Sequence, residues 1–420
     1  MFKELDIRGK YPSEINEEKS RFIGIASSIL FPNLVVGMDY RKHNKTILKA
    51  FAEGYGNEIT LLGNVPTPAL AFSSIRSGMM LTASHNPAEY VGMKFFRNRT
   101  YASREEMLEF QEEYSKIDAR IIKSRKSKEK QVNIIVENSI PIVNHYLDSL
   151  PEIDDGIFDL CGGAVCAFRE LFHKRIFDEP DPEYKKHSPE PKDDTLRELK
   201  TQTIKHSLLG FAFDGDGDRL QVCDKGKLIE GDITAAFFAS EHLKPHDVVT
   251  LSIDCRQEVF DFISDAGMKV ITSKVGDAYV VEKSLQVGAI FSAERSGHFT
   301  FYHHAPTSDG IYAAAVLSTH KYGEFSFFSK QFKNVTYKEE VWFKADFGKL
   351  REMLENKAEK IETIDGVKAK FENFTLLIRQ STTEPKIRIN SESGTAAKAK
   401  EGMRLAKETL NKCRNRDGFG

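Results

Sequence analysis

Short apolar, β-branched runs alternate with helical stretches along this chain, and the alternation restarts twice. In the first stretch NLVVGM (residues 33–38) reads as a buried strand and KTILKAFAEGYG (45–56) as a helix. EITLLG (58–63) reads as the next strand, and GMMLTASHNP (78–87) as a strand running into a turn. The second stretch predicts a helix over 140–150, a strand and glycine turn over 156–165, and a strand entering a loop at GFAFDGDGDR (210–219). The third predicts a helix over 233–243, a strand over 247–253, strand, turn and helix over 268–285, and a strand entering a loop at AIFSAERSGHF (289–299). Such alternation calls for mainly parallel sheets with helices on both faces. Each unit sets a polar, glycine-bearing loop directly after a strand, where open α/β sheets bind ligands, so three loops can converge on one site. The last stretch differs. FTLLIRQSTTEPKIRIN (374–390) is two β-like runs around a polar turn, followed by a helix, and predicts a small α+β domain.

Length agrees with several cores: 420 residues suggest about three domains. Sixty basic residues against 62 acidic give a net charge of −2, which offers no global attraction to nucleic acid or an anionic membrane. MFKELDIRGKYPSEIN at the N-terminus carries charge where a secretory signal needs an apolar run, and no run is long enough for a membrane span. Five scattered cysteines, with no C-x-x-C pair, speak against a disulfide framework or a zinc site, and a reducing, cytoplasmic setting is expected. The charge-rich segments at 115–131 and 178–200 read as solvated surface.

FDGDGDRL is the sharpest local signal. Asp214, Asp216 and Asp218 alternate with glycines and can fold round one hard cation, Mg²⁺ or Ca²⁺. An EF-hand loop is rejected, because its sixth and twelfth positions would be Arg219 and Lys225 and because a strand precedes it. A bare acidic turn is a poor alternative, since three aspartates so close repel one another. RQSTTEPKIR offers Arg379, Ser381, Thr382, Thr383, Lys386 and Arg388 round a turn, a set suited to a dianionic phosphate or simply to surface. SAERSGHF puts Glu294, Ser296 and His298 on alternate positions, either to hold vicinal hydroxyls or as a capped turn with a structural histidine. Ser84 in LTASHNPAEYVGMK has His85 and Lys94 as neighbours in sequence but no G-x-S-x-G elbow, so taken alone it reads as a turn serine.

The order of these motifs changes that reading. FKELDIRGKYP, TASHNPAEYVGMK, DGDGDR, ERSGH and RQSTTEP together resemble the α-D-phosphohexomutases, the family of phosphomannomutases, phosphoglucomutases and phosphoglucosamine mutases. The resemblance spans the whole chain. It implies four domains round a central cleft: three similar mixed-sheet α/β units over residues 1–135, 136–230 and 231–332, and an α+β unit over 333–420. It also implies a soluble cytoplasmic isomerase, monomeric or homodimeric, that moves phosphate between O1 and O6 of a hexose.

By this resemblance Ser84 carries the phosphate, and Mg²⁺ sits on Asp214, Asp216 and Asp218 with a phosphoserine oxygen as a further ligand. A hexose 1,6-bisphosphate is both intermediate and activator. Arg8, Arg219 and Lys94 correspond to cationic and acid/base groups round the phosphate, and Lys94 or His85 exchanges a proton with the sugar hydroxyl. Glu294, Ser296 and His298 hold the sugar. Arg379, Ser381, Thr382, Thr383 and Arg388 hold the second phosphate, with Arg41 a further substrate contact. The last domain must swing to let the intermediate turn.

Several positions depart from the family pattern: Leu5, Val91, Ala293, Asp277 where V-G-H has histidine, and DYRKHN (39–44) without its usual serines. Mannose phosphate is the preferred substrate on this reading, with glucose phosphate second and glucosamine phosphate third. A catalytically silent sugar-phosphate-binding homologue and a magnesium-dependent phosphatase are the competing readings.

Overall fold

A computed structural model describes residues 1–117, 134–135, 139–381 and 386–414. The described strands form four sheets. The first contains β1 (Ile7–Lys10), β2 (Leu34–Met38), β3 (Ile59–Asn64), β4 (Ser77–Leu81), β5 (Tyr90–Arg97), β6 (Thr100–Tyr101) and β7 (Ile134–Ile135), in the order β1-β5-β4-β2-β3-β7 with β6 beside β5. The second contains β8 (Ile157–Asp159), β9 (Lys174–Ile176), β10 (Gly210–Phe213), β11 (Leu220–Asp224) and β12 (Lys227–Ile229), ordered β12-β11-β10-β8-β9. The third contains β13 (Val248–Ser252), β14 (Lys269–Ser273), β15 (Phe291–Ala293) and β16 (Phe299–Phe301), ordered β14-β13-β15-β16. The fourth contains β17 (Val335–Val341), β18 (Lys360–Glu362), β19 (Val367–Lys370), β20 (Thr375–Gln380) and β21 (Ile387–Ser393), and every pair in it is antiparallel.

The expectation of mainly parallel sheets holds for only part of each unit. Parallel pairs such as β2–β4, β8–β10 and β13–β15 form the body of the first three sheets. The strand leading into each polar loop then returns antiparallel, as β4–β5, β10–β11 and β15–β16. These loops therefore span strand pairs rather than open helices, and both of their ends are hydrogen-bonded to the sheet. The RQSTTEP turn likewise joins an antiparallel pair, β20–β21.

Local signals account for the helices. Asn16 caps the helix Glu17–Leu30 by accepting from Lys19 N at 3.0 Å, and Ser103 with Glu106 forms a reciprocal capping box on Arg104–Ser115. The helices Glu17–Leu30 and Asn44–Tyr55 cross through glycines. A Cβ on Gly24 would stand 2.1 Å from Phe51 O, and one on Gly54 2.0 Å from Arg21 O. Gly24→Ala must push the two helices apart, so it is expected to cost roughly 1–3 kcal/mol and to lower the thermal midpoint by several degrees in a calorimetric scan.

One continuous core runs from Leu70, Phe72 and Phe96 of the first unit through the second and third, with Phe158, Phe211, Phe237 and Phe291 within it. The fourth unit has its own, built on Leu350, Leu376, Ile378, Ile389 and Leu410. Polar contacts tie it to the third unit: Lys368 Nζ donates to Ile253 O at 3.1 Å, Gln257 N to Glu392 at 3.1 Å, and Val275 N to Asp365 at 3.2 Å. Val91, a departure from the family pattern, is buried in the first unit's core. The five cysteines are free and buried. Among the described residues no helix is long and apolar enough to cross a membrane.

Candidate active site

Ser84 sits at the start of the β4–β5 connection with a left-handed φ of 50° and is 2 % exposed. Its amide donates to Thr82 Oγ1 at 2.9 Å, and Thr82 donates to the buried carboxylate of Asp39 at 2.7 Å. Gly92 on β5 runs between two other chain segments: a Cβ there would meet Thr82 O at 2.6 Å and Ile7 O at 2.8 Å. That close approach explains the glycine of YVGMK.

Ser84 Oγ donates to Asp214 Oδ2 at 2.8 Å and lies 3.2 Å from His85 Nδ1. Asp214, Asp216 and Asp218 are fully buried, and their ligand oxygens lie within 4.8 Å of one another. Lys94 on β5 reaches across from the first unit, its Nζ 3.1 Å from Asp216 Oδ2 and 2.5 Å from Asp218 Oδ2. Thr67 Oγ1 donates to Asp216 Oδ2 at 2.6 Å and Thr67 N to Asp216 O at 2.8 Å.

Lys94 shares the three carboxylates with Arg219, whose Nε is 4.0 Å from Asp214 Oδ2, and with His298, whose Nε2 is 3.3 Å from Asp218 Oδ1. Burial, Asp218 and Asp216 together push the Asp214 carboxyl up to about 8. Burial opposes the charge on Asp218, but Lys94 and His298 hold it well below the usual carboxylate range. Burial likewise acts against the Lys94 cation and is outweighed by Asp216 and Asp218. His85 falls well below the ordinary histidine value through burial and the nearby Arg219 and Arg8. Asp216 Oδ1 is buried without a hydrogen-bond partner. An all-oxygen donor set with a spare buried oxygen fits a hard divalent cation.

The ERSGH loop meets the aspartate loop through His298. His298 Nδ1 is 2.6 Å from Glu294 Oε2 and 3.1 Å from Ser296 Oγ, so the three expected residues do meet. His298 Nε2 faces Asp218 Oδ1 at 3.3 Å, with Arg219 Nε 3.2 Å away, and this contact joins the two loops. Glu294 Oε1 accepts from Gly276 N at 2.6 Å. Arg295 turns away to pair with Glu230 at 2.6 Å. Arg8 on β1 reaches Asn86 Oδ1 in the serine loop at 3.3 Å.

The phosphate-loop residues stand apart in the fourth sheet. Arg379 and Arg388 are opposite neighbours across β20–β21; Arg379 pairs with Asp365 at 3.2 Å and Arg388 with Glu340 at 3.4 Å. Ser381 is buried and its amide donates to Lys386 O at 2.8 Å, whereas Thr382 and Thr383 lie outside the described residues.

Arg41 is a correction. Its guanidinium donates to Asp39 Oδ2, to Ser84 O and Asn86 O, and to Pro87 O and Tyr90 O, at 2.6–3.3 Å. An arginine side chain has five N–H donors, and these contacts use them all, so none is left for a substrate. Sequence reasoning also passed over Thr67, Asp39 and Tyr101. Tyr101 is half-buried with its hydroxyl out of solvent, and that hydroxyl is pushed well above the ordinary tyrosine value by burial and by Asp277 and Asp218. The proline-flanked VPTPAL was a weak signal for Thr67, and nothing marked the other two.

Comparison with known proteins decides the family. The domain I, domain III and C-terminal domain models of the phosphoglucomutase/phosphomannomutase family match residues 1–120, 230–322 and 333–408. The probable phosphoglucosamine mutase of Methanocella arvoryzae is 32% identical, over 98% of both chains. The chain belongs to the phosphoglucomutase/phosphomannomutase family. It is a phosphohexomutase, an isomerase by class. The phosphomannomutase of Methanocaldococcus jannaschii is 29% identical over 98% of each chain. A phosphoglucomutase/phosphomannomutase family protein from Burkholderia thailandensis shares the fold, with a TM-score of 0.82 at 22% identity over 98% of each chain.

Proposed function

We propose that this phosphohexomutase interconverts hexose 6-phosphates and hexose 1-phosphates through phosphorylated Ser84 and a hexose 1,6-bisphosphate, with mannose and glucose phosphates as substrates. The observation that carries the reading is Ser84 Oγ, 2.8 Å from Asp214 Oδ2 at the mouth of the three-carboxylate cluster. In the first transfer the phosphorus–Oγ bond of phosphoserine breaks as a sugar hydroxyl oxygen bonds to phosphorus. The proton of that hydroxyl passes to His85, whose imidazole is held neutral, and is returned to the Ser84 oxygen as it leaves. Lys94, already a cation between Asp216 and Asp218, has no lone pair to take it and stands with Arg219 and Arg8 as positive charge beside the transfer. The second transfer is the reverse, from the other phosphate of the turned intermediate.

Asp214, Asp216 and Asp218 would hold Mg²⁺, which when bound supplies positive charge against the phosphoryl group. Glu294, Ser296 and His298 orient the sugar, and Arg379, Ser381, Thr382, Thr383 and Arg388 take the phosphate that is not reacting. The separate core of the fourth unit and its polar seam with the third support an opening motion between them. We take the units as residues 1–135, 136–230, 231–332 and 333–420, and the strands of one sheet fall inside each range.

A second reading, glucosamine phosphate, is favoured by Asp277. Its carboxylate lies 3.9 Å from His298 Nε2, beside the sugar loop, where an ammonium group would find a counter-charge. The relative from Methanocella arvoryzae carries the phosphoglucosamine mutase name. The test is kcat/KM for the 1-phosphates of mannose, glucose and glucosamine in the wild type and in Asp277→Asn. Mannose and glucose are expected ahead, with Asp277→Asn changing the three alike. A glucosamine preference that falls about tenfold in Asp277→Asn would establish the second reading instead.

A further inference from the structure

Arg41 and Tyr184 bring together two loops that are far apart in sequence. The Arg41 guanidinium accounts for four backbone carbonyls of the serine loop, at Ser84, Asn86, Pro87 and Tyr90, and is anchored by Asp39. Carbonyl oxygens converging on one buried cation hold the loop in a single shape, and with it the left-handed backbone of Ser84. The outer face of the same guanidinium lies 5.1 Å from the centre of the Tyr184 ring, on the 178–190 loop of the second unit.

Tyr184 in turn reaches the aspartate loop: its hydroxyl donates to Gly215 O at 3.4 Å. A Cβ on Gly215 would stand 2.5 Å from Ser84 O and 2.8 Å from the Tyr184 hydroxyl, so the three segments meet at one point. The neighbouring contacts run the same way. Lys42 pairs with Glu183 at 3.2 Å, and Gly215 N donates to Pro189 O at 3.0 Å. The charge-rich 178–200 segment, read from sequence as solvated surface, thus has a buried side in the seam between the first two units.

We propose that Arg41 and Tyr184 are positioning residues that register the phosphoserine loop against the aspartate loop, and so set the distance from Ser84 Oγ to the carboxylate cluster. Neither touches the reacting atoms. The effect expected on losing them is on the transfer rate rather than on substrate binding, because phosphoryl transfer depends steeply on the placement of donor and charge. The inference rests on Ser84 as phosphate carrier.

The test measures kcat and KM for mannose 1-phosphate, with glucose 1,6-bisphosphate present, in Arg41→Ala, Arg41→Lys and Tyr184→Leu. Lys185→Ala, an exposed neighbour whose pairing is with Glu183, is the control. Arg41→Ala is expected to lose about 100-fold in kcat and Tyr184→Leu about 10-fold, with KM within about threefold of the wild type. Arg41→Lys, with fewer donors, falls between them, and millimolar guanidinium restores part of the Arg41→Ala rate.

Thermal midpoints and circular dichroism are read on the same samples, and if Arg41→Ala does not fold, Arg41→Lys and Tyr184→Leu carry the test. Folded Arg41 variants with wild-type kcat, or a rise in KM alone, would overturn the proposal for Arg41. Tyr184→Leu with wild-type kcat would overturn it for Tyr184. Failure of the phosphoserine reading looks different: the wild type itself would then gain no phosphate from glucose 1,6-bisphosphate.

Discussion

Ser84→Ala is expected to abolish mutase turnover, by at least about 10⁴-fold, while leaving the protein folded. The group removed is one hydroxyl, and its two partners are the polar atoms Asp214 Oδ2 and His85 Nδ1, so no apolar packing is lost. The loop itself is held by other groups, Arg41 through four carbonyls and Thr82 through the Ser84 amide. Thr82 cannot substitute as phosphate acceptor, because its hydroxyl already donates to Asp39 and accepts from Ser84 N. Intact-mass measurement after incubation with glucose 1,6-bisphosphate reads the outcome directly: the wild type gains about 80 Da and the variant gains nothing. A variant that still takes up phosphate would move the carrier to another residue, and one that still turns over would dismiss the phosphoserine route.

The second large effect concerns the carboxylate cluster. Asp216→Asn is expected to remove saturable Mg²⁺ binding in a calorimetric titration and to lower kcat by about 10³-fold, the scale of several kcal/mol of lost charge stabilisation. Asparagine keeps the size of the side chain but cuts the donor charge from three to two. It also replaces one carboxylate oxygen with an amide nitrogen that no cation accepts as ligand. Lys94 loses one of its two partners and Thr67 is left against either an oxygen or a competing N–H. The wild type stripped with a chelator should lose turnover and recover it on adding Mg²⁺. Full activity after chelation and dialysis would show that the cluster serves some other end.

The motifs themselves were legible in the chain because each is local. A run such as DGDGDR carries three acidic side chains within five residues, and positive charge among them is the direct relief of that crowding. Strand-like runs were legible for the same reason, since β-branched, apolar stretches of about five residues mark buried strands. The path of the chain beyond each strand was not legible. The choice between entering a helix and turning back antiparallel is made by what the next strand can pair with, and β5, β11 and β16 pair with the strand before them.

Arg41 shows the limit most clearly. The family resemblance placed Arg41 among the substrate contacts, yet its donors are consumed by Asp39 and by carbonyls 43 to 49 residues away. Thr67 carried only the weak signal of its flanking prolines and Tyr184 none, and their contacts exist only where two units touch.

By itself, then, the sequence determined the set of chemical parts: a serine, a carboxylate triplet, a sugar loop and a basic turn, in an order that belongs to one family. Each of these parts is made of residues close together in the chain, which is why a short run of sequence reveals it. The tertiary structure decided which parts share a cavity: Ser84 with Asp214 across 130 residues, Lys94 with Asp218 across 124, and Arg219 with His298 across 79. It also decided which charged groups face the cleft and which are spent on holding a loop. Those assignments depend on how the units pack, and packing is settled by shape and burial over the whole molecule, which no local run of residues encodes.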